Sequence, residues 1–296
     1  MLIFKIYKNI IYKFIYFYLY SNQNKIYSLV NYNAFPYSIS KDELNNFSLY
    51  IPCTQEQQKI ASLFYTLDKI VSLYERKISL FEKLEKAFLT NMFVKENEGK
   101  SNVRFKNFTD NWVEAKVEDM FEIKRGRNIT KKELEQNQGK YPVYSSQTSG
   151  DGILGKINTF DFEGYHLIWT THGANAGTVF LKGDKFSTTN NCFLLAIQNN
   201  NKFSYMFYLL SLSLMPKNYI NSHGAIPHFT YQGIQELILK VPCLKEQQKI
   251  GDLFLKVKNT HAQLKRKQKS LKNGLFSLKF STFWRKNHIF LHKHLI

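Results

Sequence analysis

The sequence is poor in cysteine, in acidic residues and in long apolar runs. Its 296 residues include three cysteines, Cys53, Cys192 and Cys243, with no Cys-x-x-Cys pair. That excludes a zinc ribbon and a disulfide framework, and it suits a reducing cytoplasm. Acidic residues number 23 against 41 Lys plus Arg, a formal net charge of +18. An excess of that size points to a polyanionic partner, nucleic acid first. The other source of such a charge is compositional drift, since the chain is rich in Lys, Asn and Ile. The first twenty residues are apolar and aromatic, but Lys5, Lys8 and Lys13 interrupt them. No run reaches the roughly 20 residues of a membrane span, and no small-residue cleavage site follows, so neither membrane attachment nor a signal peptide is expected.

Catalytic patterns are also missing. Ser145, Ser146, His172, His223 and His228 occur without a nucleophile elbow, metal-ligand spacing or a phosphate loop. There is no Asn-Pro-Pro-Tyr or Asp-Pro-Pro-Tyr run, no glycine-rich cofactor turn, and no carboxylate and lysine cluster of a metal-dependent nuclease. The expectation is a non-catalytic chain with no metal and no cofactor of its own. Hydrophobic residues nevertheless make up 44%, enough for a sizeable core.

What the sequence does contain is a stretch written twice. Ile51-Pro52-Cys53-Thr54-Gln55-Glu56-Gln57-Gln58-Lys59-Ile60 returns 190 residues later as Val241-Pro242-Cys243-Leu244-Lys245-Glu246-Gln247-Gln248-Lys249-Ile250. A period this long is a domain duplication rather than a solenoid. Each copy reads as one long helix beginning after its proline. Thr54 and Gln57 suit a capping box, whereas Leu244 makes the second start less defined. With heptad position a at Ile60, that position holds Ile60, Leu67, Tyr74, Phe81 and Phe88. Position d holds Leu63, Ile70, Lys77 and Leu84. The second copy has Ile250, Val257, Leu264, Leu271 and Leu278 at a, with Leu253, Thr260, Lys267 and Gly274 at d. A narrow apolar stripe over about four heptads predicts a coiled-coil seam. The lysines at d are read either as stems snorkelling at a loose point or as register-setting polar positions.

Residues 1–50 have a counterpart too. Lys13 to Leu19 resembles Lys202 to Leu209, and Ala34-Phe35-Pro36 resembles Ala225-Ile226-Pro227. The opening segment therefore reads as the tail of a globular domain: a helix at about 13–21, a loop, then a strand into Pro52. The first long helix occupies 51–97. The complete domain spans 98–240, with strands at Met120–Lys124, Tyr141–Tyr144, His166–Thr170, Thr178–Leu181, Cys192–Ile197 and Leu237–Val241. Helices fit Lys131–Gln136 and Phe203–Leu214. The second long helix fills 241–282, and 283–296 is a basic tail. The class is α+β: one complete mixed α/β domain plus two long helices forming an antiparallel coiled coil.

Polar, glycine-bearing loops punctuate the complete domain. Lys124, Arg125 and Arg127 follow one strand, and Tyr144, Ser145, Ser146 and Gln147 another. Thr171, His172 and Asn175 lie between two more, and His223 and His228 precede the last. Arg, Gln and Asn can make bidentate contacts to guanine or adenine edges, and Ser and Thr can reach bases or phosphates. These residues are the candidate DNA contacts; each loop taken singly is also an ordinary turn.

Taken together, the duplicated Pro-x-x-x-Glu-Gln-x-x-Ile opening a long helix resembles the specificity (S) subunits of type I restriction-modification systems. The matching residues are Pro52, Glu56, Gln57 and Ile60, then Pro242, Glu246, Gln247 and Ile250. The Tyr144-Ser145-Ser146 loop, the Gly173 to Gly177 turn, Ser187-Thr188-Thr189 and the Gly224 to Pro227 turn are similar as well. The resemblance implies that 98–240 is a target-recognition domain and that 1–50 is the C-terminal remnant of a first one. It implies double-stranded DNA, methyltransferase (M) subunits and restriction (R) subunits as partners in the cytoplasm. S-adenosylmethionine, ATP and Mg would belong to those partner subunits. One complete recognition domain where the family has two leaves two outcomes open: a homodimer reading a gapped palindrome, or an inactive remnant. A coiled-coil scaffold with no DNA role is the competing reading.

Overall fold

The computed structural model describes residues 9–49, 51–95, 98–147, 150–172, 176–197, 202–215 and 228–280. In chain order the elements are α1 (Tyr12–Ser21), α2 (Gln23–Tyr27), α3 (Lys41–Asn45), α4 (Thr54–Met92), β1 (Val113–Lys116), α5 (Val117–Met120), β2 (Glu122–Arg125) and α6 (Lys131–Gln136). They continue with β3 (Gln138–Tyr144), β4 (Ile153–Ile157), β5 (Phe162–Glu163), β6 (His166–Thr170), β7 (Val179–Lys182), β8 (Lys185–Thr188) and β9 (Cys192–Ala196). Last come α7 (Lys202–Leu214), α8 (Tyr231–Gln235), β10 (Ile238–Val241) and α9 (Leu244–Phe280). The chain forms two compact units, Met1–Glu82 with Thr260–Ile296, and Lys83–Asn259.

In the first unit, α1 lays Phe14, Phe17 and Tyr18 on Ile60, Ala61 and Phe64 of α4. Gln57 ties the two together. Its amide donates to the carbonyls of Asn9 and Pro52 and accepts from the Ile11 N–H. Gln57 is therefore a buried clasp and not the partner of a Thr54 capping box; Thr54 is already inside the helix. Gln247 donates to Pro242 O in the same way, so the two starts are equally defined. Within this unit α4 and α9 run antiparallel: Lys272 reaches Glu75 at 2.8 Å, and Lys265 and His261 reach Glu82 at 3.2 Å. Lys265, with help from His261, holds the Glu82 carboxyl below the usual carboxylate range.

The seam keeps one of its two expected rows. Ile60, Leu67, Tyr74 and Phe81 are buried or half-buried, as are Ile250, Val257, Leu264 and Leu271. The second row is shifted by one residue. Leu63 is 48% exposed and Leu84 and Lys77 are exposed, whereas Phe64 and Ile78 are buried. In α9, Phe254 is buried and His261 and Gln268 half-buried, while Lys267 and Gly274 are exposed. Ile70, Leu253 and Thr260 sit half-buried at the flank. The buried stripe thus steps +4 then +3 from Ile60 and Ile250, with Ile60 and Phe64 covered by α1 and Ile250 and Phe254 in the core of the second unit, and both lysines lie off it. The side chain of Leu278 lies outside the described residues.

The second unit is organised by a four-stranded antiparallel sheet in the order β2-β9-β6-β7. Its two central strands, His166-Leu-Ile-Trp-Thr and Cys192-Phe-Leu-Leu-Ala, are apolar without alternation, which suits a sheet covered on both faces. The period of two sorts their side chains. Leu167, Trp169, Phe193 and Leu195 join the main core with Tyr205 and Phe207 of α7. Ile168, Cys192 and Leu194 face the other way, onto Phe186 of β8. Phe186 belongs to the second sheet, β4-β3-β8-β5. Burial pushes the Cys192 thiol up to about 12, so it acts as a small apolar side chain.

Strands β1, β4, β5 and β8 were not expected. β8 is mostly polar, β5 has two residues, and β1, Val-Glu-Ala-Lys, alternates over only four residues, too few to mark a strand. The strand expected before Pro52 is not formed at Phe47–Leu49. Its repeat equivalent, β10, pairs with β1. α1 and α7 also differ. In α7, Met206 and Leu210 are buried and the helix packs on β6 and β7. Their counterparts Tyr16 and Tyr20 are exposed, Tyr16 by 61%.

Candidate nucleic-acid interface

Gly126 brings the end of β2 onto the turn between β8 and β9. A Cβ there would meet Thr189 O at 2.2 Å and Thr188 Oγ1 at 2.3 Å, so only glycine allows this approach. On either side the backbone locks, with Gly126 N donating to Cys192 O and Arg127 N to Thr188 O. Thr189 N donates to Tyr144 O, bringing the end of β3 to the same place. Thr171, at the end of β6, donates from both N and Oγ1 to Asn191 O at 2.9 Å. Three separate chain segments therefore converge on the Thr189–Asn191 turn.

Between them lies a cleft of about 550 Å³ lined by Asn128, Ile129, Ser145, Ser146, Gln147, Leu154, His172, Thr189, Asn190 and Asn191. None of these is charged. Ser145 is buried, and its Oγ accepts from Gln147 N, which shapes the loop. His172 has Nδ1 2.7 Å from the Thr171 hydroxyl, and its ring stacks on His228 with centroids 6.1 Å apart. Burial first, then the charge of Arg125 and the neighbouring His228, hold the His172 pKa below its ordinary value. That favours the neutral imidazole, whose Nδ1 is already engaged by Thr171 and whose Nε2 remains for a ligand.

The expected contact residues separate into three groups. Ser145, Ser146, Gln147 and His172 line the cleft, with Thr171 and His228 directly behind His172. Tyr144 supports the floor, edge-on to Phe186 with the Lys182 ammonium 4.5 Å from its ring. Arg125 is a brace: its Nε donates to Asn190 O and its guanidinium lies over Phe193. Lys124 pairs with Glu122, and Arg127 is held between Glu133 at 2.7 Å and Asp161 at 3.0 Å. Arg127, a candidate DNA contact, is thereby paired and ties α6 to the loop before β5. Asn175 and His223 lie outside the described residues, as do the Gly173–Asn175 part of one loop and the Gly224–Pro227 turn. Asn128, Asn190 and Asn191 were not anticipated. Their signal was the polar run Thr188-Thr189-Asn190-Asn191 between two strands.

Among the described residues no group of three or more His, Cys, Asp or Glu is placed to hold a metal ion. No described helix is long and apolar enough to cross a membrane.

The sequence matches the family described as Type I restriction modification DNA specificity domain over residues 1–83 and 109–273. It is 44% identical over 154 residues to S.MpnORF285P of Mycoplasma pneumoniae, a putative type I specificity subunit, covering 52% of this chain and 48% of that one. A second putative type I specificity subunit of that organism, S.MpnORF615P, is 31% identical over 211 residues, covering 71% of this chain and 81% of the relative. The chain spans about half the length of the first of these, 48%. Among solved structures it is similar to a type I restriction-modification S subunit from M. genitalium, with a TM-score of 0.60, 19% identity, and coverage of 92% and 73%. An HsdS subunit from Thermoanaerobacter tengcongensis aligns with a TM-score of 0.55 at 16% identity, covering 92% of this chain and 68% of that one. At these identities the two structures speak for the fold.

Proposed function

The chain belongs to the type I restriction modification DNA specificity family, and from that premise we propose that its complete domain, 98–240, reads double-stranded DNA at the cleft. On this reading the chain directs methyltransferase and restriction subunits to the sequence it reads and performs no chemistry itself. S-adenosylmethionine, ATP and Mg are then carried by the partners, in the cytoplasm. The paired helices α4 and α9 serve as the spacer and docking rod. What supports the reading most is convergence. Loops separate in the chain meet at one uncharged cleft lined by amides, hydroxyls and a neutral imidazole. These groups suit base edges, and the chain's +18 charge supplies attraction to phosphate.

A mobility-shift assay with salt titration tests it. The full chain, with its methyltransferase subunit, is expected to bind duplex DNA with an affinity that falls steadily as salt rises. An absence of binding at low salt overturns the reading and leaves a coiled-coil scaffold. On the same reading, two copies of this domain related by a two-fold axis would read a gapped palindrome. A monomer by light scattering that directs methylation to an asymmetric site would exclude the pair.

A further inference from the structure

We propose that the hairpin between Asn31 and Ser38 is a wedge: Phe35 at its tip enters between two stacked base pairs of a bound duplex and opens that step. The proposal rests on the DNA reading above but uses a part of the chain other than the cleft. Phe35 is 101% exposed, the most exposed of the large apolar side chains described. A ring so placed adds nothing to a core, yet the loop that carries it is held. Asn31 and Ser38 form an antiparallel bridge, with Asn31 N donating to Ser38 O at 2.8 Å. Asn33 N donates to Asn31 Oδ1 at 3.0 Å. On the two arms of the hairpin, Tyr32 and Tyr37 meet edge to face with centroids 5.4 Å apart. Just past the bridge, Ser40 is locked in a capping box with Glu43 of α3.

The charge around the ring decides what it meets. The first acidic residue of the chain is Asp42, and Lys5, Lys8, Lys13, Lys25 and Lys41 come before it. Lys25 of α2 and Lys41 of α3, on either side of the hairpin in sequence, are exposed. A second copy of this acid-free stretch would be repelled, whereas a polyanion is attracted. A bilayer fits poorly, because the tip offers a single large apolar side chain and even a whole myristoyl chain gives only reversible membrane binding. One ring is what a duplex step accepts. Proteins that kink DNA insert Phe or Pro between base steps and place Lys or Asn beside them. The tip supplies Phe35 and Pro36 with Asn33 alongside. The repeat agrees. Ala34-Phe35-Pro36 corresponds to Ala225-Ile226-Pro227, which runs in sequence straight into His228, stacked on His172 of the cleft.

The test compares two duplexes of one sequence, the first fully paired and the second carrying a single unpaired base, whose step is already open. The full chain with its methyltransferase subunit is titrated on both, and so are Phe35→Ala and Phe35→Trp. The unsubstituted chain is expected to bind the bulged duplex about tenfold more tightly, because the unstacking has been done in advance. Phe35→Ala should bring the two affinities together. It should leave the salt dependence and the melting temperature unchanged, since it removes neither a charge nor a buried group. Phe35→Trp should keep the preference. Equal affinities in the unsubstituted chain, or a preference that survives Phe35→Ala, would overturn the wedge and leave the DNA reading standing. Binding to neither duplex would take both down. Sedimentation with phosphatidylglycerol vesicles covers the other polyanion: retention that depends on Phe35, without a preference for the bulge, would give the tip to a lipid surface and overturn the wedge.

Discussion

Arg104 holds Glu246 with two parallel hydrogen bonds, Nε to Oε1 at 2.8 Å and Nη2 to Oε2 at 2.7 Å. Glu246 stands in the first turn of α9 and is 1% exposed. Arg104 comes from the segment after α4, and its Nη1 also donates to Asp110 O. One side chain thus fastens the entry to the recognition domain onto the start of the second long helix. The pair needs the planar guanidinium fork, which explains an arginine in a chain whose cations are mostly lysines.

Removing one partner leaves a buried charge behind. Arg104→Ala is expected to lower unfolding stability by about 3 kcal/mol or more. Arg104→Lys should recover only part, since an ammonium cannot bridge both oxygens. Urea denaturation of the full chain measures both. A change below about 0.5 kcal/mol for Arg104→Ala would show that the ion pair is not holding these segments.

The seam makes a sharper demand, because two apolar residues of one helix turn should respond differently. Ile78 is 8% exposed and Leu80 is 55% exposed. Ile78→Asp puts an unpaired charge into the helix pair and is expected to cost about 3 kcal/mol. Leu80→Asp should stay within about 0.5 kcal/mol. Equal losses in thermal melts would show that burial in the helix pair does not separate these two positions.

That register shows where the sequence stopped being legible. Leu63 and Phe64 are both apolar, as are Ile70 and Val71, so steps of +3 and +4 from Ile60 look alike. Lys77 beside Ile78 favours +4, but Leu84 beside Glu85 favours +3, so the sequence leaves the two in balance. The buried central strands β6 and β9 were readable because covered strands are long apolar runs. β1 and β8 were not, since what makes them strands is a partner far away in the chain. The cleft was half readable for the same reason. Tyr144–Gln147 and His172 lie in conspicuous loops. Asn190 and Asn191 become a site only because Gly126 admits another strand end beside them.

Arg127 was readable as a cation but not as a neutralised one, because Asp161 lies far along the chain. Arg127→Ala is therefore expected to leave the salt dependence of DNA binding unchanged. Its cost should be structural, about 1 kcal/mol, since the side chain is 39% exposed and solvent screens its pairs. A salt slope reduced by about one unit would place Arg127 on a phosphate after all.

Two half-buried histidines carry a pH dependence. Burial is the main cause holding both His166 and His172 below the ordinary value of about 6.5. The unfolded chain then binds more protons than the folded one as pH falls through about 6.5. Stability is full above that pH and declines as it drops toward the folded-state values. Denaturation midpoints should fall between about pH 7 and pH 5. NMR titration of the two imidazoles should give midpoints below about 6.5. Midpoints above it would reverse the sign.

The last expectation concerns α1, where neighbouring aromatics have opposite surroundings. Phe17 is buried against the Phe64 ring, with centroids 5.4 Å apart, while Tyr16 beside it faces outward. Phe17→Ala is expected to cost about 3–5 kcal/mol, the ordinary loss for a buried aromatic. Tyr16→Lys combined with Tyr20→Lys should leave the melting temperature of the full chain nearly unchanged. The same pair should reduce concentration-dependent light scattering, because these rings are the counterparts of Met206 and Leu210, which α7 buries. An aromatic face exposed in this way favours association. Should the lysine pair destabilise the chain as much as Phe17→Ala does, the face is packed within the protein and the comparison with α7 fails.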